Sequence, residues 1–141
     1  MGNKVVARFL DGRVEKGKVF YFDPQKKYFP LKDVKNPYGE GKFIHFKDLK
    51  AVFFVKDLVG NKYYHSNIDE KVLEQEKKMG QKGIIHFKDG ETLFALIYEP
   101  DQYEIGFFAF PVDPKDNNER VFVLRHAVDH IEFLSSNDSG L

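Results

Sequence analysis

Apolar and polar positions alternate along most of the chain with a period of two residues. Near the start, Val5, Ala7 and Phe9 fall on one face of an extended segment and Arg8 on the other, and β-branched and aromatic residues dominate such runs. This pattern predicts β-strands rather than helices. The predicted strands cover about 4–10, 13–22, 28–34, 41–47 and 50–56, and again about 82–88, 91–99, 105–112, 120–125 and 129–134.

Asp-containing turns separate these runs. Asp11-Gly12 and Asp89-Gly90 each lie between two apolar runs, where a two-residue type I′ turn with positive φ at both positions favours Asp followed by Gly. Asp23 and Asp101 end the following strands, and an Asp side chain stabilises a turn by accepting hydrogen bonds from its own backbone. We therefore interpret Asp11, Gly12, Asp23, Asp89, Gly90 and Asp101 as structural turn residues.

The order of strands and turns occurs twice. A shift of 78 positions places Phe9-Leu10-Asp11-Gly12 on Phe87-Lys88-Asp89-Gly90, and after one extra residue Phe54 meets Phe133. The two repeats, residues 4–56 and 82–134, are each so short that one alone would be only marginally stable. We expect them to pack together.

The segment between the repeats has a different pattern. Asn67 followed by Glu70 is typical of a capping box, and Gly80 can end a helix, so a short linking helix is predicted over 66–80. The last residues, 135–141, are small and polar and are expected to be mobile.

Composition narrows the class of protein. The chain has 141 residues, no cysteine, and 22 Lys and Arg against 22 Asp and Glu, so it lacks the charge excess of a general polyanion binder. The absence of cysteine excludes disulfides, thiolate metal sites and cysteine nucleophiles. No apolar run is long enough for a membrane helix or a secretory signal. We expect a cytoplasmic protein without a membrane partner.

Charge is distributed unevenly between the repeats. Residues 1–62 hold 14 basic and 7 acidic residues, whereas 82–141 hold 5 and 11. This asymmetry fits two interpretations: the first repeat binds a polyanion, or oppositely charged repeats dock on each other or head to tail between chains. Docking is favoured because the repeats are small.

The first repeat resembles the first Sm motif. The matching residues are Val6-Ala7-Arg8-Phe9-Leu10-Asp11-Gly12-Arg13, then Gly17, Phe22-Asp23 and Leu31. The second Sm motif is matched in part by Leu124-Arg125-His126. Lys27 or Tyr28 stands where Sm proteins carry an RNA-contacting Asn, so the resemblance implies the fold more than RNA binding.

That resemblance implies an all-β protein of two tandem five-stranded Sm-like or SH3-like small barrels with a short linking helix. The expected divisions are a first barrel at 1–62, a linker with the helix at 63–81, a second barrel at 82–134 and a mobile tail at 135–141. The chain is also similar to an uncharacterised bacterial domain family found near signalling modules, on Lys4 to Gly17, Leu49 to Asp57 and Asn117 to Val123. This second resemblance implies a regulatory or adaptor role.

Candidate chemistry is sparse. His126 and His130 have a four-residue spacing, but they fall in a strand and turn pattern without other ligands at zinc spacing, so no metal or cofactor is expected. The carboxylates that could act as acid and base, Asp11, Asp23, Asp89 and Asp101, each fall in a predicted turn. The sequence has no nucleophile motif and no phosphate-binding glycine loop. One candidate binding surface remains, Lys26-Lys27-Tyr28-Phe29, where two cations adjoin two aromatic rings.

These observations favour a non-enzymatic binding or adaptor protein that acts by protein–protein interaction or self-association in bacterial regulation. The alternative is an RNA- or DNA-binding tandem barrel that uses the basic first repeat. The two differ in the salt dependence of nucleic-acid binding.

Overall fold

The computed structural model describes residues 2–58, 80–113 and 115–134, and these residues form ten β-strands. The first half (residues 2–58) contains β1 Asn3–Phe9, β2 Val14–Val19, β3 Tyr28–Leu31, β4 Lys42–His45 and β5 Leu49–Val55. The second half (residues 80–134) contains β6 Gln81–Phe87, β7 Thr92–Ile97, β8 Gly106–Phe110, β9 Asn118–Leu124 and β10 Val128–Phe133. One 3-10 turn, Phe46–Asp48 or Arg125–Ala127, precedes the last strand of each half. The all-β prediction is confirmed, and each strand overlaps its predicted position.

The strands form one large antiparallel sheet. Eight of them pair in the order β10-β6-β7-β8-β9-β5-β1-β2, and β3 pairs with β4. Two backbone hydrogen bonds between Lys18 and Lys32, at 2.9 and 2.8 Å, join β2 to the β3–β4 pair. Each half therefore has the same spatial order: fifth, first, second, third and fourth strand.

The strand registers of the halves also correspond. Val5 on β1 lies opposite Phe54 on β5, and 78 and 79 residues later Gly83 on β6 lies opposite Phe133 on β10. The same shifts relate the β1–β2 pair to β6–β7 and the β3–β4 pair to β8–β9. Each strand residue of the first half thus has a counterpart in the second, 78 positions later as far as β3 and 79 positions later from β4 onward.

The halves share their hydrophobic core. One cluster surrounds Phe29 and Phe54 of the first half but also contains Phe108 and Phe122 of the second. The other cluster lies inside the second half and includes Ala51 from β5. Because β5 pairs with β9 in the middle of the sheet, side chains of each half complete the core of the other.

The two Asp-Gly hairpins differ from the type I′ turns that the sequence predicts. Gly12 and Gly90 have φ of +93° and +95°, but Asp11 and Asp89 do not have positive φ. The N–H of Gly12 donates to the Phe9 carbonyl, and the Phe9 N–H donates to Arg13. This is a three-residue hairpin with a glycine bulge, a geometry that also places Asp before Gly.

Gly17, part of the Sm-like motif, lies where β2 comes close to β3. A Cβ atom at position 17 would collide with the backbone carbonyl oxygen of Lys32 and with the Leu31 side chain. The absence of a side chain at position 17 therefore allows β2 to pass this close to the end of β3. The counterpart Ala95 has a buried Cβ, and the residue that corresponds to Leu31 in the second half is the smaller Ala109.

Two expectations lie outside the described residues. The predicted linking helix at 66–80 falls there except for Gly80, and so does the predicted mobile tail at 135–141. Among the residues that are described, no helix has the length and apolar character needed to cross a membrane.

Candidate functional site

A cleft of about 670 Å³ opens between the two halves. One wall comes from the first half, through residues 24–27 and 45–47. The other wall comes from the second half, through residues 102–105 with Leu124 and His126. The cleft therefore exists only because the halves are joined side by side.

The first wall is fixed by Asp23. Its carboxylate accepts the Gln25 N–H at 2.9 Å, its carbonyl accepts the Lys26 N–H at 3.0 Å, and the Tyr21 hydroxyl donates to the same carboxylate at 3.3 Å. The Phe46 N–H donates to the Lys27 carbonyl at 3.0 Å, which ties the turn to the 3-10 segment. The predicted turn role of Asp23 thus also positions two cleft lysines.

The second wall is held by Arg125, the residue that matches the second Sm motif. Its guanidinium donates to the carbonyls of Pro100 and Tyr103, both at 2.8 Å, and to that of Glu104 at 3.2 Å. The backbone N–H of Arg125 donates to the Ile105 carbonyl at 2.8 Å. These bonds satisfy carbonyls of the loop between β7 and β8, so Arg125 organises the wall from behind.

The cleft is basic although the whole chain has no net charge. The residues that line it include three lysines, Lys26, Lys27 and Lys47, and one acidic residue, Glu104. The apolar and aromatic lining residues are Pro24, Phe46, Tyr103, Ile105 and Leu124. This combination suits an anionic ligand that also has apolar groups.

The four residues of the predicted binding surface are separated in the structure. Lys26 and Lys27 line the cleft, but Tyr28 does not and instead packs its half-exposed ring against Phe43 at 4.9 Å. Phe29 is fully buried in the core, 5.1 Å from the Phe22 ring. Period-two alternation places Tyr28 and Phe29 on opposite faces of β3, so they cannot form one stacking surface.

The two hairpin aspartates accept hydrogen bonds within their turns. Asp11 accepts the Arg13 backbone N–H at 2.9 Å and its guanidinium at 2.8 Å, and these two donors lower the pKa of Asp11. Asp89 accepts the Glu91 N–H at 2.9 Å. Asp101 lies in an exposed turn that a 2.9 Å bond from Gln102 to Glu99 closes. All four predicted turn aspartates therefore lie in turns.

Lys50 forms an ion-pair cluster that the sequence analysis missed. It projects from β5 into the second half, where its buried ammonium contacts the carboxylates of Asp89, at 2.7 Å, and Glu91. It also lies 4.6 Å above the Phe87 ring. The Lys50 ammonium, followed by the Glu91 N–H, lowers the pKa of Asp89. Burial lowers the pKa of Lys50, but the two carboxylates outweigh it, so that pKa is raised.

A signal for this cluster exists in the sequence. Lys50 is the single charged residue within the apolar segment Leu49–Val55, and a buried ammonium requires a partner of opposite charge. What the sequence does not reveal is the partner, because Asp89 and Glu91 are about forty residues away.

His126 and His130 make separate contacts. His126 lines the cleft, and its Nε2 lies 2.6 Å from the Leu49 carbonyl oxygen. His130 stacks on His86 at 4.3 Å and contacts the Asp129 carboxylate at 2.7 Å. Across residues 2–58, 80–113 and 115–134, no three His, Asp or Glu side chains come together as a metal-binding group.

A family model matches residues 1–135, nearly the whole chain. The chain belongs to DUF6982, a family of unknown function. No curated protein and no solved structure matches the chain significantly. The family membership fits the expected uncharacterised domain and assigns no ligand to the cleft.

Proposed function

We propose that this member of DUF6982 is a non-enzymatic adaptor that holds an acidic, partly apolar segment of a partner protein in the cleft between its halves. The observation that carries the proposal is the convergence of Lys26, Lys27 and Lys47 on one cleft beside Tyr103 and Ile105. The resemblance to a domain found near signalling modules supports a setting in bacterial regulation.

On this proposal each half is a small barrel of the Sm-like or SH3-like kind. The common strand order, the equivalent registers and the close approach of β2 to β3 at Gly17 support it. In such an arrangement the ligand site belongs to the pair of barrels, since each barrel contributes one wall of the cleft.

The cleft chemistry favours a peptide over a nucleic acid. Single-stranded nucleic acid binding combines cations with exposed aromatic rings on which bases stack. Here the Tyr28 ring lies outside the cleft and Phe29 is buried, while Tyr103 packs against Phe108 and Phe122 at 6.1 and 6.0 Å. Lysine ammonium groups over an apolar surface match carboxylates that alternate with apolar side chains.

A charge reversal in the cleft tests the proposal. The probe is a fluorescein-labelled peptide of alternating Glu and Leu, and binding is followed by anisotropy. Lys26→Glu with Lys27→Glu should raise the dissociation constant of the peptide about tenfold or more, because attraction becomes repulsion. The matched control, Lys16→Glu with Lys35→Glu, makes the same change in net charge at exposed positions outside the cleft and should change binding less than about threefold.

Two results would overturn the proposal. One is equal weakening by the cleft variant and the control, which would show that only net charge matters. The other is stronger binding of a single-stranded oligothymidylate than of the peptide, with a log–log salt slope that the cleft variant flattens by about 1.4, the value for two phosphate contacts. That second result would establish the nucleic-acid alternative.

A further inference from the structure

The contact between the two halves is a strand pairing that the molecule could form once more. Within the chain, the fourth strand of the second half, β9, pairs with the fifth strand of the first half, β5. Their register places Val52 opposite Phe122 and Phe53 opposite Val121. The complementary pair, the fourth strand of the first half and the fifth strand of the second, consists of β4 and β10.

Both of these strands lie at edges. Within the described part of the chain, β4 pairs only with β3 and β10 only with β6. Their exposed apolar residues are Phe43 on β4, 61% exposed, and Phe133 on β10, 42% exposed. The counterparts of these two rings, Phe122 and Phe54, are buried in the joint between the halves. Exposed edges of this kind are sites for pairing with another chain.

We propose that β4 of one copy pairs with β10 of the next copy, so that the protein associates head to tail through the contact that joins its own halves. This proposal uses the sheet edges and does not rest on the cleft. The register of β5 and β9, carried over by the shift of 79, places Ile131 opposite Phe43 and Glu132 opposite Lys42. An apolar pair and a pair of opposite charges would thus face each other across the strands.

Part of the hairpin contact at the joint has a counterpart of reversed charge, while Asp89, the other partner of Lys50, corresponds to Asp11, which Arg13 binds within its own turn. Lys50 is the bulged residue of β5, and its ammonium reaches Glu91 in the hairpin of the second half. The corresponding bulged residue of β10 is Asp129, and the residue corresponding to Glu91 is Arg13. Asp129 and Arg13 have side chains 64% and 62% exposed, each with an acid or base partner within its own half. A head-to-tail contact would bring them together.

The whole-half charges support the same pairing. Residues 1–62 carry twice as many basic as acidic residues, and residues 82–141 about twice as many acidic as basic ones. Like halves therefore repel and unlike halves attract, which favours head-to-tail contact over a symmetric dimer. A heterologous contact continues from copy to copy and produces a ring if the rotation closes, or a filament if it does not.

A charge-swap experiment tests the contact by sedimentation equilibrium and light scattering. The first variant carries Arg13→Glu and Lys42→Glu, and the second carries Asp129→Lys and Glu132→Lys. Wild type should form species of at least twice the chain mass of 16.5 kDa. Each variant alone should have its association constant lowered about tenfold or more, because its two edges now carry the same sign. Melting curves confirm that each variant is folded.

Mixing the two variants is the decisive measurement. Every contact between unlike variants again joins opposite charges, so an equimolar mixture should regain the wild-type mass, whereas a misfolded variant could not. The control, Lys16→Glu with Lys35→Glu, makes the same change in the net charge of the first half as the first variant, but at exposed positions outside β4 and the Arg13 hairpin. It should lower the association constant by less than about threefold. A monomeric wild type, association that survives in either variant, or a mixture that stays monomeric would each overturn the proposal.

Discussion

The fifth strands of the two halves, β5 and β10, pair in the same register with the first strand of their own half, but their surroundings differ. β5 lies between β1 and β9, and six of its seven residues are buried. β10 pairs only with β6 among the described strands, and none of its six residues is buried. The backbone geometry of each half is therefore set within the half, while burial is set by what lies beside it.

The strand sequences reflect this difference. Leu49–Val55 is a nearly continuous apolar run, as expected of a strand covered on both faces. Val128–Phe133 carries Asp129, His130 and Glu132, so it tolerates water on one side. Central and edge positions could thus have been distinguished from the sequence, although it does not reveal that β5 pairs with β9.

The largest difference in unfolding free energy should come from removing the last aromatic residue of each fifth strand, Phe54 on β5 or Phe133 on β10. Phe54 is 1% exposed and packs 5.0 Å from Phe22, whereas its counterpart Phe133 is 42% exposed. Phe54→Ala should lower the free energy of unfolding by about 3–5 kcal/mol, the usual cost of emptying an aromatic core site. Phe133→Ala should cost about 1 kcal/mol.

Urea denaturation measures the loss of unfolding free energy in both variants. The protein is kept at high dilution so that association between copies does not contribute. Equal losses for the two variants would show that β10 is as well covered as β5 in the single chain, contrary to the edge position described here.

The second comparison concerns the close approach of the second and third strands at Gly17 and at its counterpart Ala95. Gly17→Ala would push a Cβ into the Lys32 carbonyl, so it should destabilise the protein by about 1–3 kcal/mol. Ala95→Gly, at the counterpart position, removes a buried methyl group and adds backbone freedom, and should cost about 1 kcal/mol. Thermal melting ranks the two. A neutral Gly17→Ala would mean that β2 does not approach β3 so closely.

Local patterns predicted most of the fold. The alternation of apolar residues gave the ten strands, and the Asp-Gly pairs gave the hairpins, because both depend on residues close in sequence. The turn type was wrong because a type I′ turn and a three-residue hairpin with a glycine bulge both accept Asp before Gly. In the second geometry only Gly12 and Gly90 need positive φ.

The candidate site was predicted only in part. Lys26 and Lys27 do line a cleft, but the opposite wall lies in the second half and has no signal near them in the sequence. Phe29 could have been assigned to the core, since it alternates with Tyr28 along a strand. Contacts between the halves, such as Lys50 with Asp89, depend on the joint and so appeared only in the structure.

The third comparison should show equality rather than difference. A Cβ at Gly12 or Gly90 would meet nothing within 4 Å, so substitution by alanine adds only the strain of positive φ. Each variant should lose about 1–2 kcal/mol of unfolding free energy, and the two losses should be equal within error. A clear inequality in urea denaturation would show that the hairpins differ in backbone conformation.

The smallest expected effect is on the pH dependence of stability, to which the aspartates of the same two hairpins contribute differently. Asp11 and Asp89 both have a lowered pKa in the folded protein, so each contributes stability above its unfolded pKa near 3.8 that is lost as pH falls through the folded value. The donors differ: Asp11 is bound by Arg13 from its own turn, whereas Asp89 is bound by Lys50 from the other half.

Asparagine at either position keeps the turn but removes the charge. Above the unfolded pKa, Asp89→Asn should therefore destabilise the protein more than Asp11→Asn, since it weakens the partner of a buried ammonium, and both losses should shrink as pH falls below about 4. In a Lys50→Met background, Asp89→Asn should have no more effect than Asp11→Asn, because the ion pair is already gone. Melting temperatures at a series of pH values test this double-mutant cycle, and an undiminished Asp89→Asn effect without Lys50 would contradict the coupling of the halves through this contact.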